Sequence, residues 1–299
     1  MPSVFRSLVF LVALLLSPAA PASEQGDLLT QKVGALYGEG RYDEAVEVAY
    51  QILELAEQEF GEDQPELAGA YLDLASLERV RGNYDIAGDI FAHLLAIQTR
   101  ALGADDPDLA QTLSGYAGLL RVQGHYARAQ ELFERSLAIR RAAGTEEDAG
   151  VAHDLNGLAL VLKNLGEYGR ARELYQRALE IQRRVGSDDG AIAATMTNLA
   201  WLSLQQGDRA VALDLFQQVL EIHIAAHGEN HPDVAMAYGA IGSLYLGDGR
   251  YSDAEDLFRK SIQIDVPALG ADHPSLGITY SNLANALVPL GDLVPARRL

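Results

Sequence analysis

The chain has 299 residues, 48% of them hydrophobic, and a formal net charge of −19 from 23 basic and 42 acidic side chains. So strong an acidic excess argues against binding nucleic acid or an anionic membrane surface, both of which call for a basic field. The lack of cysteine removes disulfides, thiolate catalysis, cysteine-ligated zinc and a lipid-modified N-terminal cysteine.

At the N-terminus Arg6 precedes the apolar run from Leu8 to Leu16, followed by Ser17, Pro18 and the small-residue stretch Ala20-Pro21-Ala22. The run is too short for an ordinary spanning helix, and Ala20 and Ala22 suit an A-x-A cleavage site. Residues 1–22 are therefore expected to be a signal peptide and the protein to be exported, periplasmic or secreted, with no membrane attachment after cleavage.

Residues 23–60 read as a degenerate N-terminal capping repeat, with Lys32 and Val33 where later units carry a Leu-Ala pair. Residues 61–270 read as five tandem helical hairpins. In residues 65–102, helix A opens at Pro65, continues through Leu72, Ala75 and Leu77, and closes at Gly82, which can take the left-handed conformation of a helix cap. Helix B runs from about Tyr84 through Ala87, Phe91, Leu94 and Ile97 and ends at Gly103. Residues 271–299 read as a last helix A, interrupted by Pro289, and a frayed cap or an incomplete final hairpin.

The closing glycine returns at Gly40, Gly82, Gly124, Gly166, Gly207, Gly249 and Gly291, at intervals of 42, 42, 42, 41, 42 and 42 residues. A period this regular means that each unit buries its apolar face only by stacking on its neighbours. Small residues recur on both helices: Ala45, Ala87, Ala129, Ala171, Ala212, Ala254 and Ala296 on helix B, and Ala75, Ala117, Ala159, Ala200, Gly242 and Ala284 on helix A. Side chains of this size let two antiparallel helices approach closely.

The run Leu-Ala-x-x-Leu-x-x-x-Gly-x-Tyr-x-x-Ala-x-x-Leu-Tyr-x-x-Ala-Leu, from Leu158-Ala159 to Ala178-Leu179, resembles the tetratricopeptide repeat. The long period and the His231-Pro232 and His273-Pro274 linkers are similar to its kinesin-light-chain subtype. The resemblance implies an all-α fold, a right-handed superhelical solenoid of antiparallel helix-turn-helix repeats, with helices A lining a concave groove for peptides or protein partners. The chain departs from the pattern in places. Arg209 and Leu293 replace the tyrosine after the closing glycine, and Ala149 and Gly190 replace the linker proline, which should loosen those helix starts.

Nucleotide-binding, zinc-hydrolase and serine-hydrolase motifs are absent, and repeats occupy the chain, so no catalytic residue and no cofactor is expected. His223, His227 and His231 are spaced by four, but Gly228 breaks the helix and His231 matches His273 as a linker position, so no metal site is expected. The acidic pairs Asp105-Asp106 and Asp188-Asp189 read as helix-start residues.

The groove is the better candidate. Three residues before each closing glycine stand Arg79, Arg121 and Lys163, then Leu204, Leu246 and Val288. This predicts a basic stripe continued by an apolar one, suited to an extended peptide with acidic and apolar ends. Trp201, beside Leu204, is a candidate aromatic anchor. Asn156, Asn198, Asn282 and Asn285 are candidate hydrogen-bonding groups near the same face. Two structural explanations compete, since basic residues near a helix C-terminus favour its dipole and Trp201 can serve the core.

The expected function is a non-enzymatic scaffold binding a peptide segment or protein partner. The alternatives are a regulatory array for a hydrolase or protease whose catalytic domain lies elsewhere, and a structural part of an envelope assembly. Oligomeric state is not legible. Because Ala129 is expected at the helix crossing, Ala129→Leu should lower stability by about 1–3 kcal/mol in a thermal melt; an unchanged melt would refute the pairing.

Overall fold

The computed structural model describes residues 24–145, 147–270, 273 and 276–291. The expected signal peptide and the features at Leu293 and Ala296 lie outside these residues. Helices α1 (Glu24–Gly38) and α2 (Tyr42–Phe60) form the first hairpin. The following hairpins pair α3 (Ala68–Arg81) with α4 (Tyr84–Leu102), α5 (Leu109–Val122) with α6 (Tyr126–Ala142), and α7 (Ala149–Asn164) with α8 (Tyr168–Val185). After Val185 a second compact unit begins. It pairs α9 (Asp189–Gln205) with α10 (Arg209–His227) and α11 (Pro232–Gly247) with α12 (Tyr251–Leu269), and ends in α13 (Leu276–Leu290). No helix among the described residues is long and apolar enough to cross a membrane.

The sequence pattern explains the hairpin. Ala45, Ala87, Ala129, Ala171, Ala212 and Ala254 are all fully buried, as are Ala75, Ala117, Ala159 and Ala200 on the opposing helices. Where the small residues meet, large ones fill the flanks: Phe91, Phe133, Tyr175, Phe216 and Phe258 are buried in equivalent places along the helices B. Glycine admits two of these rings between hairpins. A Cβ on Gly115 would lie 2.8 Å from Phe91, and one on Gly157 would lie 2.4 Å from Phe133.

Each helix A ends in the same way. At the end of α3, Gly82 has φ +85°; its amide donates to the Arg79 carbonyl at 3.1 Å, and the Asn83 amide donates to the Glu78 carbonyl at 2.9 Å. This pair of bonds satisfies carbonyls that the helix end leaves unpaired and turns the chain into helix B within one residue. The same pair closes α5 on Arg121 and Leu120, α7 on Lys163 and Leu162, α9 on Leu204 and Ser203, and α11 on Leu246 and Tyr245.

Polar contacts then distinguish one hairpin junction from the next. Buried Gln98 of α4 accepts a 2.8 Å bond from Thr112 of α5. One repeat later, Arg140 of α6 donates at 3.0 Å to Asp154 of α7, which is fully buried and also accepts from Ser136 at 2.6 Å.

Several expectations need correction. Helix A does not open at Pro65: residues Pro65–Leu67 form a 3-10 turn and the α-helix starts at Ala68. Losing the linker proline does not leave α7 and α9 with loose starts, because Asp148 accepts from the Val151 amide at 2.7 Å and Asp188 from the Ala191 amide at 2.8 Å. A carboxylate cap supplies what a missing proline cannot. Pro289 does not interrupt the final helix, since it falls in the last turn of α13. At Arg209 the guanidinium takes over from tyrosine by binding the next helix A, to the Leu244 carbonyl at 2.7 Å and Asp248 at 2.5 Å.

Two alanine substitutions separate conformational from packing constraint. Nothing lies within 4 Å of a Cβ on Gly166, whose φ is +83°, so Gly166→Ala should cost only the backbone term of about 1–2 kcal/mol. Gly157→Ala meets the Phe133 ring and should cost about 1–3 kcal/mol, and Phe133→Leu should rescue that variant but not Gly166→Ala in urea unfolding.

Candidate peptide-binding face

The bonds that close each helix A also set its surface. Arg79, Arg121 and Lys163 each offer the carbonyl that receives the glycine amide, so their side chains occupy equivalent places on α3, α5 and α7, three neighbouring helices of the first unit. All three are part-buried. Among the described residues none of the three makes an ion pair or a side-chain hydrogen bond. Other arginines are placed differently: Arg41 pairs with Glu44, Arg81 with Asp43 and Glu78, Arg140 with Asp154, Arg177 with Glu147 and Glu180.

Burial lowers the pKa of Arg79, with the charge of Arg121 adding to it and the phenol of Tyr37 opposing it. Burial lowers that of Arg121 too, against the phenols of Tyr175 and Tyr126. Both remain guanidinium ions at any ordinary pH. Their field is therefore concentrated where solvent screens it poorly. Tyr37 and Tyr175 are buried beside them, and neither hydroxyl has a hydrogen-bond partner among the described residues. His153 of α7 reaches solvent in the same region.

The asparagines are not one set. Asn156 stands ten residues before its closing glycine, whereas Asn198 and Asn282 stand nine before theirs, about 100° apart around a helix. Asn282 donates to Ser243 at 3.4 Å, and Asn285 is exposed. In the second unit Leu204 and Leu246 are part-buried while Val288 is exposed. Trp201 divides its surface, being 41% exposed and meeting Phe216 edge-on at 5.1 Å. A more open row, absent from the sequence-based expectations, lies thirteen residues before the closing glycine: His153 in the first unit, then Met236 and Ile278 in the second, 60% and 75% exposed. Counting back ten places further from the same glycine reaches it.

A tetratricopeptide-repeat profile matches residues 66–142, 151–225 and 204–265, and a second profile of the same description matches 29–66. The chain belongs to the tetratricopeptide repeat family. No curated protein matches it. Among solved structures, BtubC (BKLC) from P. vanneervenii is 25% identical with a TM-score of 0.63, covering 82% of this chain and 94% of that one. A putative kinesin light chain from Podosopora anserina is 21% identical with a TM-score of 0.59, covering 69% and 98%. The apo form of RapI is 18% identical with a TM-score of 0.61, covering 89% and 94%. The tetratricopeptide repeat fold is typical of protein–protein interaction scaffolds.

One acid of the first unit is part-buried without a counter-charge among the described residues. Asp73 of α3 lines a small cleft with Thr30, Val33, Ala49, Ile52 and Ala70, and its Oδ1 has no hydrogen-bond partner among the described residues. Burial pushes its pKa from 3.8 to about 8. The folded state thus holds a proton that the unfolded chain releases, so this contribution is complete below about pH 4 and is lost as pH rises to about 8. Asp73→Asn should flatten that dependence and gain about 1–3 kcal/mol at pH 8.5 over the parent chain, read by urea unfolding at pH 5.5 and 8.5.

Proposed function

We propose that this protein is a non-enzymatic scaffold whose first unit captures an acidic segment of a protein partner on Arg79, Arg121 and Lys163. One observation carries this reading: in a chain of net charge −19, three part-buried cations stand in register on neighbouring helices without a carboxylate among the described residues. A cation near a helix C-terminus is favoured by the dipole alone, but the dipole does not account for leaving three of them unpaired amid so many acids. A partner carboxylate would restore the counter-charge at a site already formed. Backbone spacing of the segment is served by the rigid row, and Tyr37 and His153 offer polar atoms beside it.

In the second unit, Trp201, Leu204, Leu246 and Val288, with Met236 and Ile278, present apolar surface on helices A and support contact with aliphatic or aromatic side chains. The 42-residue period and the likeness to BtubC support the kinesin-light-chain-like subtype. The Arg6-to-Ala22 pattern supports export, with Ser23 as the first residue of the mature chain.

Exchanging Arg79, Arg121 and Lys163 together for glutamate should weaken capture of acidic peptides at least about tenfold and abolish its salt dependence, with helical content unchanged by circular dichroism. Undiminished binding of the same peptides by the folded triple variant would refute the assignment.

A further inference from the structure

Helix α10 carries His223 and His227 one turn apart, so both imidazoles project from one side. Gly228, at φ +81°, ends that helix, and the chain returns through a short turn to α11. There His231 caps the new helix, its Nδ1 accepting from the Asp233 amide at 3.2 Å. The turn does not scatter these residues. One ligand atom from each of His223, His227 and Asp233 lies within 4.8 Å of the other two. His227 Nε2 is 3.9 Å from Asp233 Oδ2, His231 Nδ1 is 3.5 Å from the same oxygen, and the His227 and His231 rings stack at 4.3 Å.

The register of the array sets His223 against two polar pairs made elsewhere at the same position. Sixteen residues after the closing glycine stand Ala56, Gln98, Arg140, Gln182, His223 and Asp265. Gln98 and Arg140 bond to the residue twelve before the next closing glycine, Thr112 and Asp154. At the corresponding place opposite His223 stands Ala237, which offers no polar side-chain atom. His223 Nδ1 is buried without a hydrogen-bond partner among the described residues. A buried imidazole nitrogen of this kind is costly unless something binds it.

We propose that His223, His227 and Asp233 bind a divalent transition-metal ion, of the Zn2+ class, across the turn between α10 and α11. Two imidazoles and a carboxylate form a donor set for Zn2+ and its borderline neighbours, not for Ca2+ or Mg2+, which prefer oxygen alone. Tetrahedral bonds of 2.0–2.2 Å place ligand atoms roughly 3.3 Å apart, so side-chain rotations of about an ångström close the set. Asp233 is 6% exposed and anchored by the helix start, while His227 opens to solvent, giving the ion a way in and a coordination place for water. The ion would join the end of one repeat to the start of the next. Its site shares no residue with the peptide-binding face and does not depend on it.

The test is calorimetric titration of the full, tag-free chain with Zn2+. One equivalent should bind, and Zn2+ should raise the melting temperature. His227→Ala, which removes an exposed side chain, should weaken binding at least about tenfold and abolish the thermal shift; Asp233→Asn should do the same. Co2+ in place of Zn2+ should give the intense visible absorption of a low-coordinate site, lost in His227→Ala. No saturable Zn2+ uptake by the parent chain, or uptake by His227→Ala at the parent affinity, would overturn the proposal.

Discussion

Helices α1, α3, α5, α7, α9 and α11 each hand the chain to helix B through a single left-handed glycine, and the two backbone bonds made there govern the geometry of the hairpin. The glycine amide takes the carbonyl of the residue three before it, and the next amide takes the carbonyl five residues before its own position. Because the reversal occupies one residue, it sets the start of helix B, and hence the rotation that brings its buried alanine opposite the small residue of helix A. The same closure sets the rotation of the side chains that helix A shows to solvent. Packing and recognition are thus tied to one conformational requirement, which only glycine meets at low cost.

Upon this uniform frame, the junctions between hairpins are individual. Gln98 with Thr112, and Arg140 with Asp154 and Ser136, occupy one register in successive repeats, yet they are chemically unlike. A buried charge or amide mismatched with its neighbour carries a desolvation cost, whereas apolar contacts are permissive. Such pairs distinguish neighbouring junctions that are otherwise alike in shape. His223 occupies the same register opposite Ala237, and it lies instead beside His227 and beside Asp233, one turn earlier on the facing helix.

Much of the candidate face is legible in the sequence because position in a repeat is a proxy for position on a surface. Arg79, Arg121 and Lys163 align by counting back from glycine, and the structure places them on neighbouring helices. Counting gives no access to their lack of counter-ions, since it does not show that the neighbouring acids Glu78 and Glu167 pair with Arg81 and Arg170. His153, Met236 and Ile278 escape it for another reason: the exposure of a helix face depends on which neighbouring helices cover it. The histidines fall between the two kinds of information. Gly228 marks a helix end in the sequence as in the structure, but a helix end says nothing about where the returning chain goes.

The sequence by itself determined that the chain is a series of related helical hairpins, where helix A gives way to helix B, and which residues are equivalent. Those properties rest on local conformational preference and apolar periodicity, both of which act within a few residues. Tertiary structure decided which of the equivalent residues are partnered, which are buried, and which distant groups converge. It made a capped helix start where proline was lost, left three cations unpaired among the described residues, and brought Asp233 to two histidines across a turn. These outcomes depend on distances between separate helices, and burial and charge pairing become defined only when those helices pack.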